Sequence, residues 1–311
     1  MPVLPMDAPS GRPPSWCNVR SSRHVQQRLH FAAGSAGLSY RIDSAQECPM
    51  QLLITGGTGF IGQALCPALV QAGHQVSVLT RDLRSAARRL PGMTVVDTLD
   101  GVQADAVINL AGEPLAVGRW TDARKQRFRA SRLGITGQLH AWIAQQPAER
   151  RPAVLISGSA VGYYGERGDS TLTEADRAGD DFSAQLCRDW EAEAAKIGAL
   201  GPRVSWVRTG IVLDRDGGAL ARMLPAFRFG GGGPFGDGRH WMSWIHRATW
   251  WLCCCGCWNT ASPAPTTPPR RPRSPMPSSR APWPTCCIAR HCWRCRPACC
   301  GWALARWPSC C

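Results

Sequence analysis

Three glycines at three-residue intervals, Gly56, Gly59 and Gly62 in "ITGGTGFIG" (54–62), open the list of residues whose type and spacing specify chemistry. Glycine there permits a tight turn, lets backbone N–H groups approach a pyrophosphate and lets the next helix pack closely on a sheet. The helix N-terminus then faces the negative charge. Thr80 and Arg81 follow, at a place where NAD sites commonly carry an acid for the ribose 2′-hydroxyl. A guanidinium suits a 2′-phosphate instead, through paired charge-assisted bonds, and Arg84, Arg88 and Arg89 lie nearby. The cofactor these residues point to is NADP. Tyr163 and Tyr164 in "SGSAVGYYG" (157–165) offer phenols near the same site. A phenol of pKa about 10 needs a nearby cation to exchange protons readily at neutral pH. Arg167 is the cation closest in sequence; merely covering the cofactor is the other role open to the tyrosines.

Such residues need a frame of strand, loop, helix and strand. Gln51–Thr55 is a short apolar run, and Phe60, Ile61, Ala64, Leu65, Ala68 and Leu69 recur at helical spacing. Gly73 ends that helix and Val76–Leu79 reads as the second strand. "ADAVINLAGE" gives a strand ending at Asn109, "RPAVLISGSAVGYYG" another, and "RVSWVRTGIVL" (203–213) one more. "DDFSAQLCRDWEAEAAKIG" is a helix with an acidic start. Strands alternating with helices predict an α/β fold, a Rossmann-like doubly wound parallel sheet with ligands beyond the strand C-termini. Ala219–Phe229 reads as an amphipathic helix, and Trp241, Trp244 and His246 as an aromatic cluster that either packs in the core or stacks on a substrate.

Composition sets the boundaries of this frame. The net charge of +14 is unevenly placed: residues 248–311 hold eight arginines and no Asp, Glu or Lys, together with 12 of the 16 cysteines. The remaining charge is ordinary for a soluble enzyme, so neither nucleic acid nor a membrane is expected as a partner. Between residues 50 and 247 only Cys66 and Cys187 occur, which fits a reducing compartment such as the cytoplasm. No apolar run reaches the length of a transmembrane helix. Residues 1–49, rich in Pro, Ser and Arg, read as a disordered extension ahead of Met50. Residues 50–213 then form the NADP-binding domain, and 214–247 begin a smaller substrate-binding region, incomplete in this chain.

Together these motifs resemble the extended short-chain dehydrogenase/reductases, the NAD(P)-dependent epimerase/dehydratase group. Within that group they are most similar to an atypical branch of epimerase-like oxidoreductases of uncertain substrate. The residues that carry the resemblance are "ITGGTGFIG" (54–62), "NLAGE" (109–113), "RWTDARKQRFRASR" (119–132), "SGSAVGYYG" (157–165), "WVRTGIVL" (206–213) and "WMSWIH" (241–246). The resemblance implies hydride transfer at a carbonyl or carbinol carbon of a small molecule. It implies that Gly56, Gly59, Phe60, Ile61, Gly62, Thr80, Arg81, Leu110, Ala111 and Arg132 line NADP, and that Ser159 stands near the family's active-site hydroxyl. One departure is sharp. The family's Tyr-x-x-x-Lys is missing: four residues past Tyr40, Tyr163 and Tyr164 stand Ser44, Arg167 and Gly168, and alignment of the helix puts Ser183 and Cys187 at the Tyr and Lys positions. Tyr163, Tyr164 and Ser159 are therefore the candidate catalytic residues, and a non-catalytic NADP-binding sensor is the competing reading.

Cys253, Cys254, Cys255 and Cys257 are too crowded for a structural zinc site, which usually pairs Cys-x2-4-Cys knuckles, and no metal is expected. Read one nucleotide earlier, 249–260 becomes compatible with Asp-Leu-Val-Ala-Leu-Leu-Leu-Trp-Leu-Leu-Glu-His, an ordinary amphipathic helix. In the same frame 266–271 becomes compatible with Tyr-Asn-Ala-Thr-Ala-Pro, a segment the family carries. Residues 248–311 accordingly read as a frameshifted, non-globular tail. The assignment of Arg81 is testable by cofactor titration: NADPH binds about tenfold or more tightly than NADH, as one or two charge-assisted bonds would give, and Arg81→Asp removes the preference. Tighter NADH binding by the unaltered chain sinks it.

Overall fold

The computed structural model describes residues 49–116, 118–233 and 241–250, and the backbone of four further strands at 29–34, 37–42, 285–288 and 291–294. The rest of the N-terminal extension and the Cys253–Cys257 cluster lie outside the described residues. The first two strands, β1 (Leu29–Gly34) and β2 (Gly37–Ile42), form an antiparallel hairpin. The glycine motif then sits between β3 (Gln51–Thr55) and α1 (Gly62–Gln71). There follow β4 (Gln75–Leu79), α2 (Leu83–Arg89), β5 (Thr94–Val96) and β6 (Ala106–Asn109). Next come α3 (Asp122–Arg129), a π-helical turn at Ala130–Gly134, and α4 (Ile135–Gln145). The second half holds β7 (Val154–Ala160), a 3-10 turn at Val161–Tyr164, α5 (Phe182–Gly198) and β8 (Arg203–Thr209). It ends with β9 (Ile211–Asp214), α6 (Gly218–Arg228), β10 (Trp241–His246), β11 (Thr285–Ile288) and β12 (His291–Arg294).

Seven parallel strands make the main sheet in the order β11-β8-β7-β6-β3-β4-β5. This is the Rossmann-like doubly wound sheet. The chain winds outward from β3 in one direction and from β6 in the other, so a crevice opens between the carboxyl ends of these two strands, where such sheets bind ligands. Successive side chains on a strand face opposite ways, which splits the core into two layers. Leu52, Ile54, Val76, Val78 and Ile108 pack with Leu65, Cys66 and Leu69 of α1. Leu53, Val107, Leu155 and Val204 pack on the other face with Leu139, Ile143, Ala194 and Ile197 of α4 and α5. Asp181 caps α5 by accepting from the Ala184 amide at 2.8 Å.

Residues 203–213, expected as one strand, are two. At Gly210 the chain leaves the main sheet, and β9 pairs in parallel with β10 in a smaller one. The break requires glycine, because a Cβ at Gly210 would stand 2.6 Å from the Ser243 carbonyl oxygen. Two features reach into the stretch expected to be non-globular. Trp250 is fully buried beside Ile245 and Val207, its indole N–H donating to Thr209 Oγ1 at 3.0 Å. The backbones of β11 and β12 add to the edges of the two sheets. Among the described residues no helix is long and apolar enough to cross a membrane.

Two glycines at helical positions separate crowding from propensity. A Cβ at Gly62 would lie 2.4 Å from the Gly57 backbone, whereas one at Gly137 in α4 meets only Glu193 Oε1, at 3.6 Å. Gly62→Ala is expected to destabilise by about 1–3 kcal/mol through overpacking. Gly137→Ala is expected to stabilise by up to about 1 kcal/mol. Urea denaturation of both variants measures the contrast; a stable Gly62→Ala chain contradicts the crowding.

Candidate functional site

The crevice between β3 and β6 is shaped by buried polar bonds at the strand ends. Thr55 Oγ1 donates to Asn109 Oδ1 at 2.6 Å and accepts from the Ala111 amide at 3.2 Å. The Asn109 amide group donates to Thr136 Oγ1 (2.9 Å), and that hydroxyl donates to the Arg132 carbonyl at 2.8 Å. One chain of bonds thus ties β3, the Leu110–Ala111 strand end and the helix that carries Arg132. Above it the glycine loop crosses closely. Gly56 has φ +70°, and a Cβ there would sit 2.6 Å from the Leu110 carbonyl. Gly59 is exposed and Phe60 and Ile61 are half-buried, and the Gly59 amide closes the turn on the Gly56 carbonyl at 2.9 Å. A close-packed glycine loop running into a helix start fits a dinucleotide pyrophosphate.

On the rim, Thr80 is half-buried at the end of β4 and Arg81, Arg84, Arg88 and Arg89 are exposed. Asp82 caps α2 by accepting from the Ser85 amide at 2.9 Å. Arg89 reaches across to donate to the Thr58 carbonyl at 3.2 Å, which brings this basic group beside the glycine loop. Arg132, in the π-helical turn, is buried. It donates to the Phe128 and Glu113 carbonyls at 3.2 and 3.1 Å, and its guanidinium lies 5.3 Å from the Trp190 ring centroid. Burial holds its pKa below the ordinary arginine range, with Cys187 and Glu113 opposing. Gly112 makes room for it, since a Cβ there would be 2.9 Å from Arg132 Cζ.

The tyrosines occupy the 3-10 turn after β7 and face a cation that the sequence reading did not name. Arg208 on β8 donates from Nε and Nη2 to the two carboxylate oxygens of Glu191, both at 2.8 Å. Its Nη1 donates to the Tyr164 hydroxyl at 3.0 Å, and its Cζ stands 3.4 Å from the Tyr163 ring centroid. Burial works against the charge of Arg208, but the bonds and charge of Glu191, then those of Tyr164, hold its pKa above the usual arginine value. Ser159 is buried and donates to Glu191 Oε1 at 2.6 Å. Tyr164 is buried, whereas Tyr163 is half-buried with its ring edge-on to Tyr164.

Arg167, the cation expected to serve the tyrosines, does something else. It donates to the Tyr164, Arg177 and Ala178 carbonyls at 2.9, 3.1 and 3.2 Å, pinning the loop between the 3-10 turn and α5. The missed residues were Arg208 and Glu191; in sequence they are one of two arginines in a strand and one of two glutamates in a helix, with nothing that links them. Cys187, at the aligned lysine position, is buried, which pushes its thiol up to about 11, so it stays neutral at pH 7. Among the described residues no cluster could hold a metal ion.

With this geometry in hand, the comparisons with known proteins are consistent. The NAD dependent epimerase/dehydratase family matches residues 52–247. The chain belongs to that family. The Arabidopsis thaliana protein named epimerase family protein SDR39U1 homolog, chloroplastic, is 41% identical over 235 residues, covering 73% of this chain and 67% of the relative. The crystal structure of human epimerase family protein SDR39U1 (isoform 2) with NADPH is similar with a TM-score of 0.61 and 34% identity, covering 68% of this chain and 70% of the human one. The nucleoside-diphosphate sugar epimerase structure from Corynebacterium glutamicum gives a TM-score of 0.54 and 30% identity, covering 73% of this chain and 55% of that one. For the first curated relatives, the matched region makes up 62% to 67% of their own length.

The buried ion pair predicts strong coupling. Arg208→Met or Glu191→Leu alone is expected to cost about 3–5 kcal/mol, because each strands the other charge in the interior. The double variant recovers most of that loss. A double-mutant cycle by urea denaturation measures it, and simple additivity of the two losses contradicts the pairing.

Proposed function

We propose that the chain is an NADP(H)-dependent oxidoreductase that moves a hydride to or from a carbonyl or carbinol carbon of a small molecule, with Tyr163 as the proton-transfer group. The observation that carries this reading is convergence. The glycine loop, the Leu110–Ala111 strand end and the tyrosine turn all lie at the carboxyl ends of neighbouring parallel strands, around one crevice. The human relative crystallised with NADPH, and the basic rim at Arg81 and Arg89, favour NADP over NAD.

The bound nicotinamide would supply or accept the hydride. Gly56, Gly59 and Gly62 let backbone N–H groups reach the pyrophosphate, and Leu110 and Ala111 give the ring a flat backbone shelf. Arg132 lies beneath the shelf, fixed by two carbonyls. Tyr163 is the phenol with an exposed side. Its ring rests on Arg208, whose charge favours an electron-rich ring and steadies the phenol as its proton leaves or returns. Tyr164 and Ser159 act as supports: the first accepts from Arg208, and the second anchors Glu191.

The alternative is a non-catalytic NADP sensor, favoured by one observation: Ser183 and a neutral Cys187 stand where the family carries Tyr and Lys. Screening NADPH oxidation over a panel of aldehydes and ketones separates the two. Turnover is expected, and Tyr163→Phe lowers kcat by about 10²–10⁴, the usual contribution of a general acid. NADPH binding without turnover on any substrate supports the sensor; full activity in Tyr163→Phe removes the residue from the chemistry.

A further inference from the structure

Trp120 is 41% exposed, yet it is firmly held. Its indole N–H donates to the Leu115 carbonyl at 2.9 Å, which ties it to the loop continuing from the Leu110–Ala111 strand end. Its ring meets those of Phe128 and Phe182 in T-shaped contacts, with centroids 5.7 Å apart in both. Phe128 is buried on α3, and Phe182, half-buried, opens α5. A tryptophan fixed in this way offers a large apolar surface with little side-chain entropy left to lose. Ser183, the residue after Phe182, touches the tyrosine turn: its Cβ lies 3.2 Å from where a Cβ of Gly162 would stand, one residue before Tyr163. The aromatic rim therefore borders the crevice on its tyrosine side.

The rim is also positive. Residues 113–129 carry five cations against two acids. Glu113 is shared by Arg124 and Arg127 at 3.5 and 3.6 Å, and Arg129 pairs with Asp189. Lys125 has a weaker partner. Its ammonium is 3.4 Å from Asp122 Oδ1, and the Asp122 side chain is 99% exposed, so water screens the pair. The same ammonium stands 5.6 Å from the Phe182 ring centroid, at the edge of the aromatic surface. An apolar ring surface beside a cation with no buried counter-ion suits a flat molecule that carries an acid group.

We propose that the substrate is an aryl or similarly planar aldehyde or ketone bearing a carboxylate, its ring against Trp120 and Phe182, its acid on Lys125 and its carbonyl toward Tyr163. The inference rests on the oxidoreductase reading above. Reduction of such a carbonyl takes a hydride from NADPH and a proton by way of Tyr163, and yields the alcohol and NADP+. Trp120 and Lys125 hold parts of the molecule that do not react. Their contacts are the same before and during the reaction, so they set KM rather than kcat.

Two readouts on the full chain test this. The first is binding of terephthalate, an unreactive diacid, to the NADPH-saturated chain, followed by ligand-observed NMR. Terephthalate is expected to bind, and Lys125→Met to weaken it about tenfold, the scale of one charge-assisted bond. The second is turnover of para-carboxybenzaldehyde, its methyl ester and succinic semialdehyde. The aryl acid is expected to exceed its ester about tenfold in kcat/KM, and Lys125→Met to erase that preference. Trp120→Ala raises KM for both aryl aldehydes by about three- to tenfold, as loss of an aromatic contact gives, and leaves succinic semialdehyde unchanged. Equal use of acid and ester by the unaltered chain overturns the proposal, as does a preference that survives Lys125→Met or a failure of terephthalate to bind. Terephthalate binding that depends on Lys125, without turnover of any of the three aldehydes, upholds the ligand class and fails the oxidoreductase reading. If Trp120→Ala does not fold, the Lys125→Met comparison decides.

Discussion

Between the carboxyl ends of β3 and β6, two stretches of backbone pass so closely that no side chain fits between them. A Cβ on Gly56 would meet the Leu110 carbonyl at 2.6 Å, and one on Gly62 would meet Gly57 at 2.4 Å. This crowding lets α1 begin directly over the crevice, where a helix start favours a phosphate. The Thr55–Asn109–Thr136 bonds hold the two strand ends in register beneath it and fasten the Arg132 turn to them. Phe60, carried at the crest of the same loop, meets the turn that starts α6. The crevice, the cofactor loop and the seat of α6 all meet at one close approach of backbone to backbone.

The other side of the crevice is organised by charge. A buried ion pair contributes little net stability against a well-packed apolar alternative, because desolvation offsets attraction. What the Arg208–Glu191 pair does is place groups. Glu191 comes from α5, Arg208 from β8, Ser159 from β7, and the tyrosines from the turn after β7. A guanidinium offers five donors in a rigid plane. Two satisfy the carboxylate, Nη1 serves the Tyr164 hydroxyl and the Glu174 carbonyl, and the flat face remains for Tyr163. A lysine in its place could not combine these roles.

The frame was legible in sequence because its signals are local. Glycine spacing, apolar runs of strand length and the Asp181 cap each fall within a few neighbouring residues, and the elements stand where those patterns put them. The cofactor-side residues share that locality. The tyrosine environment did not show, because Arg208 lies 44 residues from Tyr164 and 17 from Glu191, and no period links a strand arginine to a helix glutamate. Proximity in sequence favoured Arg167 instead, yet its guanidinium is consumed by three carbonyls. The split at Gly210 was hidden for a related reason. An apolar run says that a segment is extended, and only the Ser243 carbonyl, 33 residues on, says that it must change sheets. Trp250 escaped notice because its surroundings in sequence argue against a core, whereas its place beside Val207 and Ile245 is set by tertiary packing.

Tyr-x-x-x-Lys is absent from the sequence, and the buried cations among the described residues are two arginines, Arg132 and Arg208. Arg132 acts on Cys187, at the aligned lysine position, lowering a thiol pKa that burial raises more strongly. Arg208 lies against both tyrosine rings, its Cζ 3.4 and 5.1 Å from the centroids of Tyr163 and Tyr164. This exchange has a chemical consequence. A lysine can pass a proton onward, whereas a guanidinium stays charged in proteins and cannot. On the oxidoreductase reading, a proton lost by the phenol during turnover is therefore not replaced through the cation beneath it. It returns from the open side, by way of water or the substrate itself. Tyr164, buried with its hydroxyl on Arg208, has no such side, and half-buried Tyr163 does. On that reading, the arginine beneath the tyrosines favours Tyr163 over Tyr164 as the phenol that exchanges its proton.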